Sequence, residues 1–453
     1  MTFFGALGTA VSGVNAAATW VGHISDNVAN ATTNGYKEVS TAFSDLVHNK
    51  VLGDSPVIDS NKHGGVLASA DFYNRKQGGL TQDDSVTSIA IRGNGFFPVQ
   101  KPTSFEDDGT PVFGDTTVYY TRLGDFVRTQ SNNLANSAGF YLQAADIGTT
   151  TPTLFTIDET PIDAELTTTI DFRANLSSNA VPGTAYSNRA TVIADNGTDG
   201  LGVTQGLQLD WTKAAAANQW SLSLTGGTTG QTSFGPVTVT FADGTVAPFL
   251  AGRLQDMTTA DAGLTVTAGA DGAAASISLS VDFGAGPQAL TLNLGTFNGA
   301  FDPTEPSGLT QFSDPSGRQS NVDIAQNGLL GGEFTSISFR SLGEIDYNYT
   351  NSRSQVLSHV MLANFPEPDR LDRINDVAFL ETSASGEVVL GTINDPDNPA
   401  GIGNLVPSAL ENSTVDVAEQ MTFLIQAQQA YGLNSQVITA ADEMLSRLID
   451  LKR

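Results

Sequence analysis

The chain has no cysteine in 453 residues, so it contains no disulfide, thiolate nucleophile, iron–sulfur cluster or Cys-ligated zinc. Cations are scarce as well, with 21 Lys and Arg against 48 Asp and Glu and a net charge of −27. A field of that sign repels phosphate, which argues against nucleic acid and anionic lipid as partners. Charged residues make up only 15% and hydrophobic ones 40%, so the acidity reflects a shortage of Lys and Arg and leaves enough apolar side chains for folded cores. No run of 18 apolar residues exists, and no membrane insertion is expected. Met1 to Ile24 has no Lys or Arg, and Thr9, Ser12, Asn15, Thr19 and His23 interrupt its apolar residues. That pattern fails as a Sec signal, so export without a cleaved Sec signal is the expectation.

Signatures of chemistry are missing too. His23, His48, His63 and His359 are scattered, and neither an H-E-x-x-H pair nor a G-x-S-x-G elbow occurs. Asp195 to Gly200 has a calcium-loop look, but Gly197 stands at a ligand position and Gly206 where the closing Glu belongs, so the segment reads as a tight turn. Gly93-Asn94-Gly95 is followed by Phe96-Phe97-Pro98 and not by a helix with Lys, which makes it a strand-bounding turn and not a phosphate cradle. No catalytic, cofactor-binding or metal-ligating residue is expected, and no enzyme.

What is present sorts into three zones. Phe4, Leu7, Val11, Val14, Ala18, Val21, Ser25 and Val28 repeat at 3-4-3-4 spacing, predicting a helix from Thr2 to about Asn30 that is roughly 40 Å long. Gly5, Gly8, Gly13 and Gly22 each cost about 1 kcal/mol relative to Ala, so this helix needs a partner. At the other end Ser413-Thr414-Val415-Asp416 matches a capping box with Asp as its acidic member. A helix from Thr414 to Asp450 is predicted, with one face marked by Val417, Met421, Leu424, Gln428, Tyr431, Ser435, Ile438, Leu445 and Ile449. Two terminal seams suggest that the ends pair with each other or with other copies; the alternative is an ordinary helical pair packed on a β body. Between them, alternating runs such as Trp220 to Thr225 and Ala275 to Ser280, separated by Gly-rich turns, predict half-buried strands.

One stretch carries a resemblance. Ile24 to Lys37 resembles the signature of the flagellar rod and hook axial family, with Asn27, Ala29, Asn30, Thr33, Gly35, Tyr36 and Lys37 matching its Asn-Ile-Ala-Asn, Asn-Thr and Gly-Tyr/Phe-Lys pattern. Leu410 to Asp416 is similar to the family's Leu-Glu-x-Ser-Asn-Val-Asp, including Ser413, Val415 and Asp416, and Met421, Gln428, Tyr431 and Asn434 follow in register. Thr414 stands where Asn is usual and Gln429 where Arg is usual. Ile91 to Phe97 and Tyr120 to Phe126 resemble the first β domain shared by rod and hook members. Thr169 to Leu176 and Gly308 to Phe312 resemble the outer domain of the hook branch. The segment Tyr349-Thr350-Asn351-Ser352 departs from the usual Tyr-Ser-Asn-Gly.

The resemblance implies a structural subunit of the hook, polymerising into a curved flexible tube that transmits motor torque from rod to filament at the extracellular base of the flagellum. Rival readings are another axial protein, distal rod or hook–filament junction, and a secreted β-rich binding module. The implied partners are further copies of the subunit, a distal rod protein, a hook cap, a junction protein and the flagellar export apparatus. The expected fold is multidomain, mainly β with terminal α-helices. The helices pair as a coiled-coil-like inner domain, followed by nested discontinuous β domains of sandwich or barrel-like form. Residues 1–37 with 405–453 would form the inner helical domain, 38–70 a linker region and 71–145 with 348–404 an inner β domain. Residues 146–347 would form an outer β domain, with room for a further insertion at about 178–304. The expected polymerisation seam is Leu7, Val11, Val14, Val21, Val28, Val417, Met421, Leu424, Tyr431, Ile438 and Leu445.

Overall fold

The computed structural model describes residues 3–45, 64–107, 109–227, 232–300, 304–305, 308–393 and 401–450. The seam positions Phe4 and Ile449 lie on helices, but their side chains are outside the described set. The chain is mainly β with a helix at each end, and it divides into two compact units. The first comprises 1–158, 336–347 and 354–453; the second comprises 159–335 and 348–353.

In the first unit, helix α1 (Phe3–Ala29) packs against helix α2 (Val417–Asp450). The deepest positions of α1 are Ala10, Ala16, Ala17, Ile24 and Asn27. Leu7, Val14, Val21 and Val28 are half-buried and Val11 is exposed. Small residues set this crossing: a Cβ on Gly13 would fall 2.7 Å from Asn434 Oδ1, so glycine there lets the Asn434 amide lie against the α1 backbone. A capping box does not form at the start of α2. Asp416 is itself the cap, its Oδ1 accepting from the N–H groups of Ala418 (2.9 Å) and Glu419 (3.3 Å). Thr414 is occupied elsewhere, because its N–H donates to Tyr36 O and its Oγ1 accepts from Glu38 N.

After α1, the strands Val39–Asp45 and Val66–Phe72 form an antiparallel ribbon that packs on the helix. The C-terminal half of the chain then pairs with the N-terminal half twice, Leu80–Gln82 with Ala409–Glu411 and Ile89–Arg92 with Asn404–Pro407. A larger sheet is centred on Tyr141–Asp146, Phe97–Gln100, Val118–Thr121 and Ala378–Leu380. Part of its core is aromatic, with Phe96 edge-on to Phe379 at 5.6 Å and Tyr120 edge-on to Phe365 at 4.8 Å.

The second unit is two sheets around one core. A five-stranded antiparallel meander runs through Ala185–Ala194, Val203–Lys213, Gln219–Gly226, Thr232–Phe241 and Leu254–Thr259. The facing sheet holds Leu264–Val266, Ala274–Asp282, Pro287–Thr296, Thr169–Asn175 and Gly308–Thr310, with Ser320–Gln326 antiparallel to Thr169–Asn175. Strict alternation along Gln219–Gly226 turns Trp220, Leu222 and Leu224 inward. The sheets touch at both margins, Leu254–Thr259 with Leu264–Val266 and Ala185–Ala194 with Ser320–Gln326. Trp211 stacks on Phe172 at 5.6 Å and Trp220 on Tyr186 at 5.5 Å. Burying 150–250 Å² of each indole at about 25 cal/mol/Å² makes these two side chains worth about 4–6 kcal/mol apiece. Segment 178–304 contributes to the same core as Ile170, Phe172 and Leu309, so it is the body of this unit and not a further insertion with a core of its own. Asp195 to Gly200 is a tight turn, closed by Asp195 on Gly197 N and by Asn196 on Asp199. Ser352, where the family pattern has Gly, holds a left-handed φ of +62°.

Candidate assembly interface

The family-signature residues converge where α1 ends, the chain turns, and α2 begins. Thr33 N caps back onto Asn30 O, and Gly35 adopts φ +71° with its Cα so close to the backbone of Leu123 that a Cβ would sit 2.8 Å from Leu123 N. That turn brings Tyr36 back over the helix, where its hydroxyl donates to Asn27 Oδ1 (3.1 Å). Asn27 is fully engaged: Oδ1 also accepts from Val39 N (2.9 Å), and Nδ2 donates to Val39 O (2.8 Å) and Gln420 Oε1 (3.1 Å). One buried amide thus joins α1, the outgoing strand and α2. Ala29 is exposed and Asn30 half-buried at the helix end.

Below this lies a buried ionic cluster. Lys37 Nζ meets Glu411 Oε1 at 2.6 Å with both side chains fully buried, and it also donates to Lys76 O (2.6 Å). Glu411 Oε2 faces Arg122 Nη1 at 3.3 Å, while Oε1 accepts from Gly78 N (2.7 Å). Arg122 in turn donates to Gly93 O (2.8 Å). Burial pulls the Lys37 ammonium down to about 8, against the opposing pull of Glu411. Burial likewise lowers Arg122 and Arg373. Arg373 donates to Lys37 O (2.6 Å) and lies 5.0 Å from the Tyr36 ring centre, 5.3 Å from that of Phe72 and 5.5 Å from that of Phe379. The backbone completes the junction through Gly35 N to Glu411 O (2.7 Å).

The motif residues Asn27, Gly35, Tyr36 and Lys37 therefore share one site with the segment around Ser413, whose Oγ accepts from Val415 N (3.3 Å). Gln428 and Gln429 are not in this junction; both are exposed along α2. Asn434 sits at the Gly13 crossing, and its amide donates to Ala430 O (2.8 Å). Of the expected seam on α2, Leu424 and Ile438 are half-buried, and Val417, Met421, Tyr431 and Leu445 are exposed. Reading the sequence alone left Glu411, Arg122, Arg373, Gln420 and Gly13 without these roles. A usable signal was Arg122, set among Val118, Tyr119, Tyr120 and Leu123 in a cation-poor chain, since a cation placed there needs a buried carboxylate; Lys37, between Tyr36 and Glu38 in a polar stretch, carried none.

At 100° per residue, α2 carries exposed apolar side chains on both flanks of its α1-facing stripe. Val417, Met421 and Ile425 lie on one flank; Leu433, Val437 and Met444 lie on the other. Among the described residues no group of three or more His, Cys, Asp or Glu is placed to hold a metal ion, and no helix is long and apolar enough to cross a membrane.

The segment 406–451 matches the family described as flagellar basal body rod FlgEFG protein C-terminal. A flagellar hook protein FlgE of Brucella abortus is 31% identical over 465 residues, spanning 100% of both chains. FlgE of Salmonella typhimurium is 27% identical over 98% of this chain and 99% of its own. Among solved structures, the Helicobacter pylori flagellar hook protein FlgE2 covers 73% of this chain and 100% of its own, with 12% identity and a TM-score of 0.42. With full-length identity above 30% and the family's terminal motifs folded into one junction, this chain belongs to the flagellar hook protein family.

Proposed function

We propose that the chain is a structural subunit of the bacterial flagellar hook, with no enzymatic activity, that polymerises through its paired terminal helices. The observation that carries this reading is the exposure of large apolar residues on both flanks of α2: Ile425 is 57% exposed, Leu433 64% and Met444 58%. A single copy leaves these in water, whereas neighbours on two sides would bury them. Different surfaces meeting head to tail leave each copy a free surface for the next, and with a displacement along the axis such contacts build an open helical polymer.

In this reading residues 1–37 with 405–453 form a coiled-coil-like inner layer and 38–70 the link outward. The expected β domains, 71–145 with 348–404 and 146–347, keep their order along the chain but not their bounds, because 146–158 and 336–347 belong to the first unit and 348–353 to the second. The outer unit's polar Thr, Ser and Asn faces suit contacts that slide as a tube bends. Distal rod, cap and junction proteins and the export apparatus are the partners that hook membership suggests, with the assembled subunit outside the cell. Electron microscopy of the full chain under polymerising conditions tests the reading. Ile425→Asp and Val437→Asp should each abolish tubes while leaving the monomer's circular dichroism unchanged, because each would bury an uncompensated charge at a contact. Normal tubes from both variants would refute it.

A further inference from the structure

The joint between α1, the strand Val39–Asp45 and α2 encloses a cavity of about 170 Å³ that the intrachain contacts leave open. Three aromatic rings wall it: Trp20 stands at 84° to Phe43 with centres 5.4 Å apart, and Phe423 is tilted 44° to Trp20 at 6.2 Å. His23, held to Thr41 Oγ1 at 2.8 Å and kept below its ordinary pKa by burial, and Glu38 are among the residues that line it. The segments that form the joint are acidic. α1, residues 38–45 and residues 416–423 carry Asp26, Glu38, Asp45, Asp416 and Glu419 and not one Lys or Arg. Lys76 reaches Glu38 Oε2 from outside at 2.9 Å, and Gln420 takes the other oxygen at 2.8 Å.

Aromatic faces beside carboxylates are the chemistry that holds a guanidinium. The protein already seats one this way, since Arg373 lies among Tyr36, Phe72 and Phe379. We propose that the Trp20–Phe43–Phe423 pocket receives Arg447 of a second copy of this chain. Arg447 is exposed, and it is the only Lys or Arg on either terminal helix. In its own chain it lies 27 residues beyond Gln420, about 40 Å along α2, out of reach of the pocket. A copy displaced by about that distance along the helix axis brings its Arg447 level with the rings. The contact joins opposite ends of the helix pair, so it repeats without closing.

This inference rests on assembly through the helices and adds the register of that assembly. The test measures the critical concentration for tube formation by the full chain. Arg447→Gln should raise it about thirtyfold, the scale of a desolvated cation–π contact, while Arg447→Lys should raise it less. Phe423→Leu should raise it comparably, and the double variant should be little worse than either single one, because both remove the same contact. Tubes from Arg447→Gln at the wild-type concentration, or effects of the two changes that multiply in full, would overturn the pairing. Failure of the wild-type chain to form tubes at all would instead overturn the assembly reading beneath it.

Discussion

Replacing Glu411 should open the terminal junction, and replacing its partner Lys37 should do so less. Glu411→Gln keeps the shape but leaves Lys37 and Arg122 buried as two cations without a counter-ion. Breaking a buried pair from one side in this way costs about 3–5 kcal/mol. Lys37→Met leaves Glu411 with Arg122 Nη1 and Gly78 N. It also removes a charge that the site tolerates poorly. The fall of the Lys37 pKa from its ordinary 10.5 to about 8 corresponds to about 3 kcal/mol against holding that charge in place. The gain from discharging the site offsets much of the lost ion pair, so the expected order of damage is Glu411→Gln well above Lys37→Met.

Hydrogen exchange reads this locally. The amides of Gly35, Val39 and Thr414 are bonded to Glu411 O, Asn27 Oδ1 and Tyr36 O, so each reports the closed junction. A loss of about 3 kcal/mol should speed their exchange by about two powers of ten. Exchange less than about tenfold faster in Glu411→Gln, or Lys37→Met matching or exceeding it, would refute the assignment of the carboxylate as the shared counter-ion.

The pH dependence follows from the same ammonium. Between about 8 and 10.5 the unfolded chain keeps the Lys37 proton while the folded one has released it, so Lys37 makes stability rise with pH over that window and the gain is lost as pH falls through 8. Both helices belong to the first unit, so urea unfolding followed at 222 nm should show this rise in the wild type relative to Lys37→Met; parallel curves would contradict it. On α1, Gly22→Ala should stabilise by about 1 kcal/mol because its Cβ meets open space, whereas Gly13→Ala should destabilise by driving Asn434 off Ala430 O; thermal melts at 222 nm decide whether the two signs differ. Ser352→Gly should raise the stability of the second unit by about 1 kcal/mol by relieving the positive φ, measured by tryptophan fluorescence of Trp211 and Trp220 during unfolding.

The parts of this fold that the sequence exposes are those written in local physics. Periodicity placed both helices to within a few residues, and alternation marked strands such as Gln219–Gly226. The start of α2 differs from the expected capping box because a pattern of Ser, Thr and Asp shows which side chains can cap, but not that Thr414 is committed to Glu38 and Tyr36 across the fold. On α1, side-chain size marks a stripe of Leu and Val: Leu7, Val14, Val21 and Val28 are half-buried and Val11 is exposed. The deepest positions of α1 are instead small, Ala10, Ala16 and Ala17, and Gly13 lets Asn434 of α2 lie against its backbone. Those two selections need not compete. A helix that meets its own partner through small residues keeps its larger apolar side chains free for other copies. The buried cluster has the complementary logic: Lys37 and Glu411 stand 374 positions apart, so their charges are satisfied only when both ends of the chain are in place. Under the proposed assembly, a subunit tied in this way completes its helix pair only after its two termini have met, and disrupting the buried cluster should therefore raise the critical concentration for tubes.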